Sequence, residues 1–121
     1  MSILRFEKVT KYYGRVKALN QFDWEVERGC IHAILGHNGS GKTTSFLIAN
    51  GLIPYDSGAV FLLGKKLKNV SRKELSQIGF LTDKLRLYKE LSVLDNLSFF
   101  CELYSVKQKG KWMSEIVDVF G

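Results

Sequence analysis

The sequence predicts an α/β fold, and three observations carry that reading. An apolar run at residues 30–35, "CIHAIL", stands directly before a glycine-rich loop, and the loop runs into a segment of helical character. Alternating, strand-like segments dominate before residue 82, and helix-spaced apolar residues take over from Ser92. The 121 residues, 45% of them apolar, suffice for one ordinary domain or part of one.

The elements follow in order. "SILRFEKV" at residues 2–9 reads as a strand, and "QFDWEVERG" sets Phe22, Trp24 and Val26 against Asp23, Glu25 and Glu27, a sheet with one buried and one wet face. The Arg28-Gly29 turn leads into residues 30–35, apolar on both faces and therefore expected as a buried, central parallel strand, with His32 its one satisfied or edge-facing polar residue. "KTTSFLIANG" reads as a helix that Gly51 closes and Pro54 prevents from continuing. An Asp56-Ser57-Gly58 turn precedes a short strand at 59–63, and Ser71 with Glu74 is spaced as a capping box for a brief helix. "IGFLT" at 78–82 is expected as a second buried strand. Beyond it, Ser92 and Asp95 open a helix with Leu94, Leu97, Cys101 and Tyr104 on one face, and Met113, Ile116, Val117 and Phe120 repeat the pattern.

Composition narrows the function classes. Eighteen Lys and Arg against twelve Asp and Glu give +6, a balance that suits anionic partners: nucleotide, nucleic acid or acidic lipid. The basic runs "GKKLKNVSRK" and "KQKGK" lack the interleaved aromatics of a single-strand binding groove, so they read as solvated surface and nucleic acid rests on charge alone. Cys30 and Cys101 form no CxxC pair and read as buried thiols, not metal ligands. "MSILRFEKV" lacks a signal peptide's apolar core and no apolar run reaches about eighteen residues, so a soluble, intracellular chain is expected.

The chemistry lies in "GHNGSGKT", residues 36–43, which fits Gly, any four residues, Gly, Lys, then Ser or Thr. By composition those fixed positions would coincide in such a chain on the order of a few times per thousand. Phosphate needs donors from several directions, and backbone N–H groups converge only where the chain takes conformations open to glycine, here Gly36, Gly39 and Gly41. A helix starting near Gly41 adds its unpaired N–H groups and positive dipole end. Lys42 is then placed for the β and γ phosphates, the Thr43 hydroxyl for magnesium and Thr44 for the α phosphate, while His37 fills a variable position without a catalytic role.

With these residues in place, the sequence resembles an ATP-binding subunit of an ABC transporter from end to end. "VTKYYGRVKALN" is similar to the family's opening segment, "LGHNGSGKTT" to its phosphate loop and "PYDSGAVFLLGKKL" to the hairpin that follows. "IGFLTDKLRLYKELSVLDNLSFFCELY" resembles the entry to the helical subdomain, in the wording of ABC-2 type exporter subunits. The resemblance implies a P-loop NTPase core with an antiparallel β-subdomain, followed by the start of a helical subdomain, as an incomplete domain. Its parts are residues 1–82 for β-subdomain and core, 83–91 for a loop sensing magnesium and partner, and 92–121 for the first helices. It implies ATP and Mg2+ as ligands, with Tyr13 stacking on adenine and Gly36, Asn38, Gly39, Ser40, Gly41, Lys42, Thr43 and Thr44 around the phosphates.

Two departures stand out. Where the family usually carries a glutamine after the "IGFL" strand, this chain has Asp83; the resemblance implies a magnesium ligand there, directly or through water, and a solvated loop aspartate is the competing reading. Beyond residue 83 there is no "LSGGQ"-like segment, no apolar strand ending in Asp-Glu and no histidine, so no catalytic residue is expected within the 121. The resemblance implies a transmembrane transporter subunit and a second, head-to-tail ATP-binding subunit as partners, on the cytoplasmic face of the cell membrane. The isolated chain is expected to bind Mg-ATP without hydrolysing it, and to self-associate through the unpaired edge of residues 30–35. The alternative is a truncated or stand-alone nucleotide-binding and association module.

Overall fold

Leu4 and Phe6 point one way from the first strand, and Arg5 and Glu7 the other, as a half-buried strand requires. Strict alternation would next bury Lys8. Instead Lys8 takes φ +46, the pairing register shifts between Phe6 and Val9, and Val9 turns inward with no exposure to solvent. The bulge is held from the partner strand, where the Asp23 carboxylate accepts the Lys8 N–H at 2.8 Å.

The computed structural model describes residues 1–84 and 86–120, which group into two units, Met1–Gly79 and Phe80–Gly121. In the first, β1 (Ser2–Tyr13) and β2 (Val16–Glu27) form a long hairpin closed by Gly14 and Arg15. With β3 (Ser57–Leu62) and β4 (Lys65–Lys66) they make an antiparallel sheet in the order β2-β1-β3-β4. Leu63 and Gly64, both at positive φ, make the two-residue turn between the last two strands, which matches their twist. Gly58 is required where β3 crosses the bulge: a Cβ there would stand 2.5 Å from the carbonyl oxygens of Glu7 and Lys8.

Helix α1 (Lys42–Ala49) packs on this sheet, setting Ile48 and Ala49 among Leu4, Phe6, Val9, Leu19, Val60 and Leu62. Each large side chain in that core contributes about 1.5–3 kcal/mol through the apolar surface it removes from water. Trp24 bridges the layers, 5.5 Å from the Phe6 ring and 5.6 Å edge-to-face from Phe46 of α1. The helix ends as the sequence predicts: Gly51 takes φ +67, its N–H donates to Ile48 and that of Leu52 to Leu47, the paired bonds of a Schellman ending. The expected capping box opens α2 (Arg72–Leu75), and Lys65 reaches the same Glu74 carboxylate at 2.6 Å. The Lys65 ammonium, helped by Ser71, holds the Glu74 carboxyl down at about 2, well below its ordinary value of 4.5.

Two predicted strands do not form. Residues 30–35 and 78–82 join no sheet among the described residues, and Ile31, Leu35 and Leu81 are exposed. An apolar run states what a strand would bury, whereas a strand exists only through neighbours that take its N–H and C=O groups. The same exposure corrects Cys30, which lies open to solvent; Cys101 is half-buried.

In the second unit α3 (Val93–Leu103) starts at Ser92, whose Oγ accepts the Asp95 N–H and donates to the Asp95 carboxylate at 2.6 Å. The inward positions differ from the expected stripe. Asn96 is buried and Leu97, Phe100 and Cys101 are half-buried, whereas Leu94 and Tyr104 stay exposed. The Asn96 amide donates to the carbonyls of Tyr88, Leu91 and Ser92 and accepts from the Tyr88 N–H, so it stitches the preceding loop onto the helix. In α4 (Lys109–Phe120) only Met113 of the predicted stripe is partly buried; Trp112, Ile116, Val117 and Phe120 are exposed. No helix among the described residues is long and apolar enough to cross a membrane.

Candidate functional site

The glycine loop owes its shape to close approaches that only glycine permits. Gly41 caps α1 at φ +94 with its Cα against the hairpin, where a Cβ would lie 2.5 Å from the Ala18 carbonyl oxygen. Having no side chain, it leaves the N–H groups at the start of α1 without a side-chain cap, aimed along the helix axis with the positive end of its dipole. Lys42 folds back into the loop, its ammonium donating to the carbonyls of Gly36 and His37 and, at 3.2 Å, to the Ser40 hydroxyl. The loop thus closes around a cation.

Beside it lies a cavity of about 470 Å³. One wall is hairpin: Tyr13, Val16 and Ala18. The other is the loop and first helical turn: Asn38, Gly39, Gly41, Lys42, Thr43 and Thr44. The two walls touch where the Thr44 hydroxyl meets that of Tyr13 at 3.4 Å, residues 31 positions apart. The walls carry one cation, two threonine hydroxyls and helix-start N–H groups, and no carboxylate among the described residues. That donor set fits an anion with an attached apolar or aromatic group, in the size range of small-molecule sites. A bare divalent cation would want carboxylates, so magnesium fits only together with phosphate, at the Thr43 hydroxyl. No cluster of His, Cys, Asp or Glu able to hold a metal by itself occurs among the described residues.

Of the residues expected from sequence, Tyr13, Asn38, Gly39, Gly41, Lys42, Thr43 and Thr44 line this one cavity. Gly36 and Ser40 act one step back, through the Lys42 ammonium. Asp83 belongs to the second unit, exposed in a turn. Sequence reasoning missed Val16 and Ala18. Their signal was the hairpin register, which pairs Val16 with Tyr13.

A family model described as ABC transporter matches residues 19–121. The chain belongs to the ABC transporter family. Among curated ABC relatives, the probable multidrug ABC transporter ATP-binding protein YbhF of Escherichia coli K12 is 33% identical over 122 residues, covering 99% of this chain and 21% of its own length. The uncharacterized ABC transporter ATP-binding protein MJ1023 of Methanocaldococcus jannaschii is 38% identical, over 88% of this chain and 36% of its own length. The chain therefore spans well under half of these ABC proteins. Among solved structures, the dimeric ATP-binding cassette MJ0796 bound to ADP and Pi superposes over 93% of this chain and 54% of its own, with TM-score 0.73 and 25% identity. The α/β fold expected from sequence, part of an ATP-binding cassette with an antiparallel sheet and helices, is the one this ABC structure shares over the matched residues.

Proposed function

We propose that the chain binds ATP in the cavity between hairpin and phosphate loop, as the nucleotide-holding part of an ABC transporter ATPase subunit. The observation that carries the reading is that one cavity is lined both by Tyr13, a flat apolar platform, and by Lys42, Thr43 and the start of α1, a phosphate-holding set. In it Tyr13 stacks on adenine. Lys42 exchanges the carbonyls of Gly36 and His37 for β and γ phosphate oxygens, and the opening N–H groups of α1, with Asn38, Gly39 and Thr44, surround the rest. The Thr43 hydroxyl would hold Mg2+, which when bound offsets the phosphate charge; Asp83 is proposed as a further magnesium contact.

By themselves the described lining residues position nucleotide and include no carboxylate to activate water. We therefore assign the 121 residues binding without turnover. Transport, a transmembrane partner, a head-to-tail second ATP-binding subunit and a place at the cytoplasmic membrane face belong to the proposal for the whole protein, as does the exporter subgroup. Calorimetric titration with Mg-ATP tests the binding: the wild-type chain should saturate, and Lys42→Ala should lose most of its affinity. Equal binding by both, or none by either, would remove the phosphate role.

An association role is favoured by one observation, the exposed Ile31 and Leu35 in a run that joins no sheet among the described residues. The isolated chain should sediment as dimers or larger species, and a monodisperse monomer at micromolar concentration would contradict this.

A further inference from the structure

Among the described residues Lys11 is the one charged residue that is buried, at 9% exposure. No carboxylate pairs with it among those residues. Its stem is packed beside the core residue Leu19, its partner in the β1–β2 register, and its ammonium stands over an aromatic face, 5.3 Å from the centroid of the Tyr13 ring. The same ring is tethered at its other end, where its hydroxyl receives the Thr44 hydroxyl of the first turn of α1. Tyr13 lines the cavity and Lys11 does not.

We infer that Lys11 is a positioning residue for the nucleotide base, acting through Tyr13. It occupies one face of the ring and leaves a single face for a ligand. With Thr44 it fixes the ring's tilt relative to the helix start that holds phosphate. A cation on one face also draws π density from the other, which favours an electron-rich purine stacked there. The gain is preorganisation: the platform is already set when the phosphates dock. This rests on the reading of the cavity as an ATP site with adenine at Tyr13.

The test compares Mg-ATP with magnesium inorganic triphosphate, which has phosphates and no base, on wild type, Lys11→Met, Lys11→Arg and Tyr13→Ala. Lys11→Met keeps the packed stem and removes the charge. It should weaken ATP binding by about three- to tenfold while leaving triphosphate affinity unchanged, and Lys11→Arg should restore ATP. Tyr13→Ala should lower the ratio of ATP to triphosphate affinity by more. Unchanged ATP binding in Lys11→Met, or equal loss of both ligands, overturns the role of Lys11 while the Tyr13→Ala result stands. A Tyr13→Ala chain that keeps the wild-type ratio would instead defeat the adenine assignment itself, and the inference with it.

Discussion

The sheet unit and the helical unit are made cohesive by different means. In Met1–Gly79 eight buried hydrophobic side chains from three strands and one helix meet in a single cluster, with Trp24 and Phe46 extending it edge-to-face. In Phe80–Gly121 no described hydrophobic side chain is fully buried; the buried residue is Asn96, and the apolar side chains of α4 other than Met113 are exposed. One unit is held by apolar area removed from water, the other by four hydrogen bonds of one amide, the Tyr88–Phe99–Phe100 ring contacts and the Lys109–Glu102 ion pair. Apolar burial is cumulative and cooperative, whereas a single latch is not, so the sheet unit should be far the more resistant to denaturation.

The chain's two tryptophans allow this contrast to be read directly, because Trp24 lies in one unit and Trp112 in the other. Phe6→Ala should have the largest effect, lowering the stability reported by Trp24 fluorescence in urea by about 3–5 kcal/mol, since the ring is fully buried in a packed core. A loss below about 1 kcal/mol would show that the cluster is not what holds the sheet unit. Asn96→Ala should follow: it strands the Tyr88 N–H and the Leu91 carbonyl, costs about 1–3 kcal/mol, and releases hydrogen-exchange protection of the Tyr88 amide while leaving β1 protected. Protection unaltered at Tyr88 would break the latch argument.

Glu74 gives the smallest effect and a sharper one. Its folded carboxyl is held at about 2 against 4.5, so it contributes stability that is present above pH 4.5 and is lost as pH falls toward 2. Glu74→Gln should flatten that acid limb of the Trp24 stability profile, losing at pH 7 the modest gain that an exposed pair with Lys65 permits and differing least from wild type near pH 2. An acid limb identical in wild type and variant would contradict the assignment.

What the sequence made legible divides along the same line. The phosphate loop, the Schellman ending at Gly51, the capping box at Ser71 and Glu74, and the start of α3 at Ser92 are closed by residues within a few positions of one another, so the chain states them locally. Residues 30–35 and 78–82 were misread because a buried strand depends on partners that a local pattern does not reveal. The inward face of α3 was misread for another reason: apolar periodicity passes over a polar residue, and the buried position belongs to Asn96. In the cavity, Tyr13 and the residues of the loop could be named, but Val16 and Ala18 enter through hairpin register, and Lys11 is linked to the site through its contact with the Tyr13 ring.

The most direct test of the central claim, that the sheet unit holds a nucleotide site built from Tyr13 and the Lys42 loop, is ligand-linked unfolding. Urea denaturation would be followed through Trp24 in a Trp112→Phe chain, with and without Mg-ATP at about a hundred times its dissociation constant. The account predicts a stabilisation of about 2.7 kcal/mol that disappears in Lys42→Ala. No shift with Mg-ATP, or the same shift in Lys42→Ala, would contradict it.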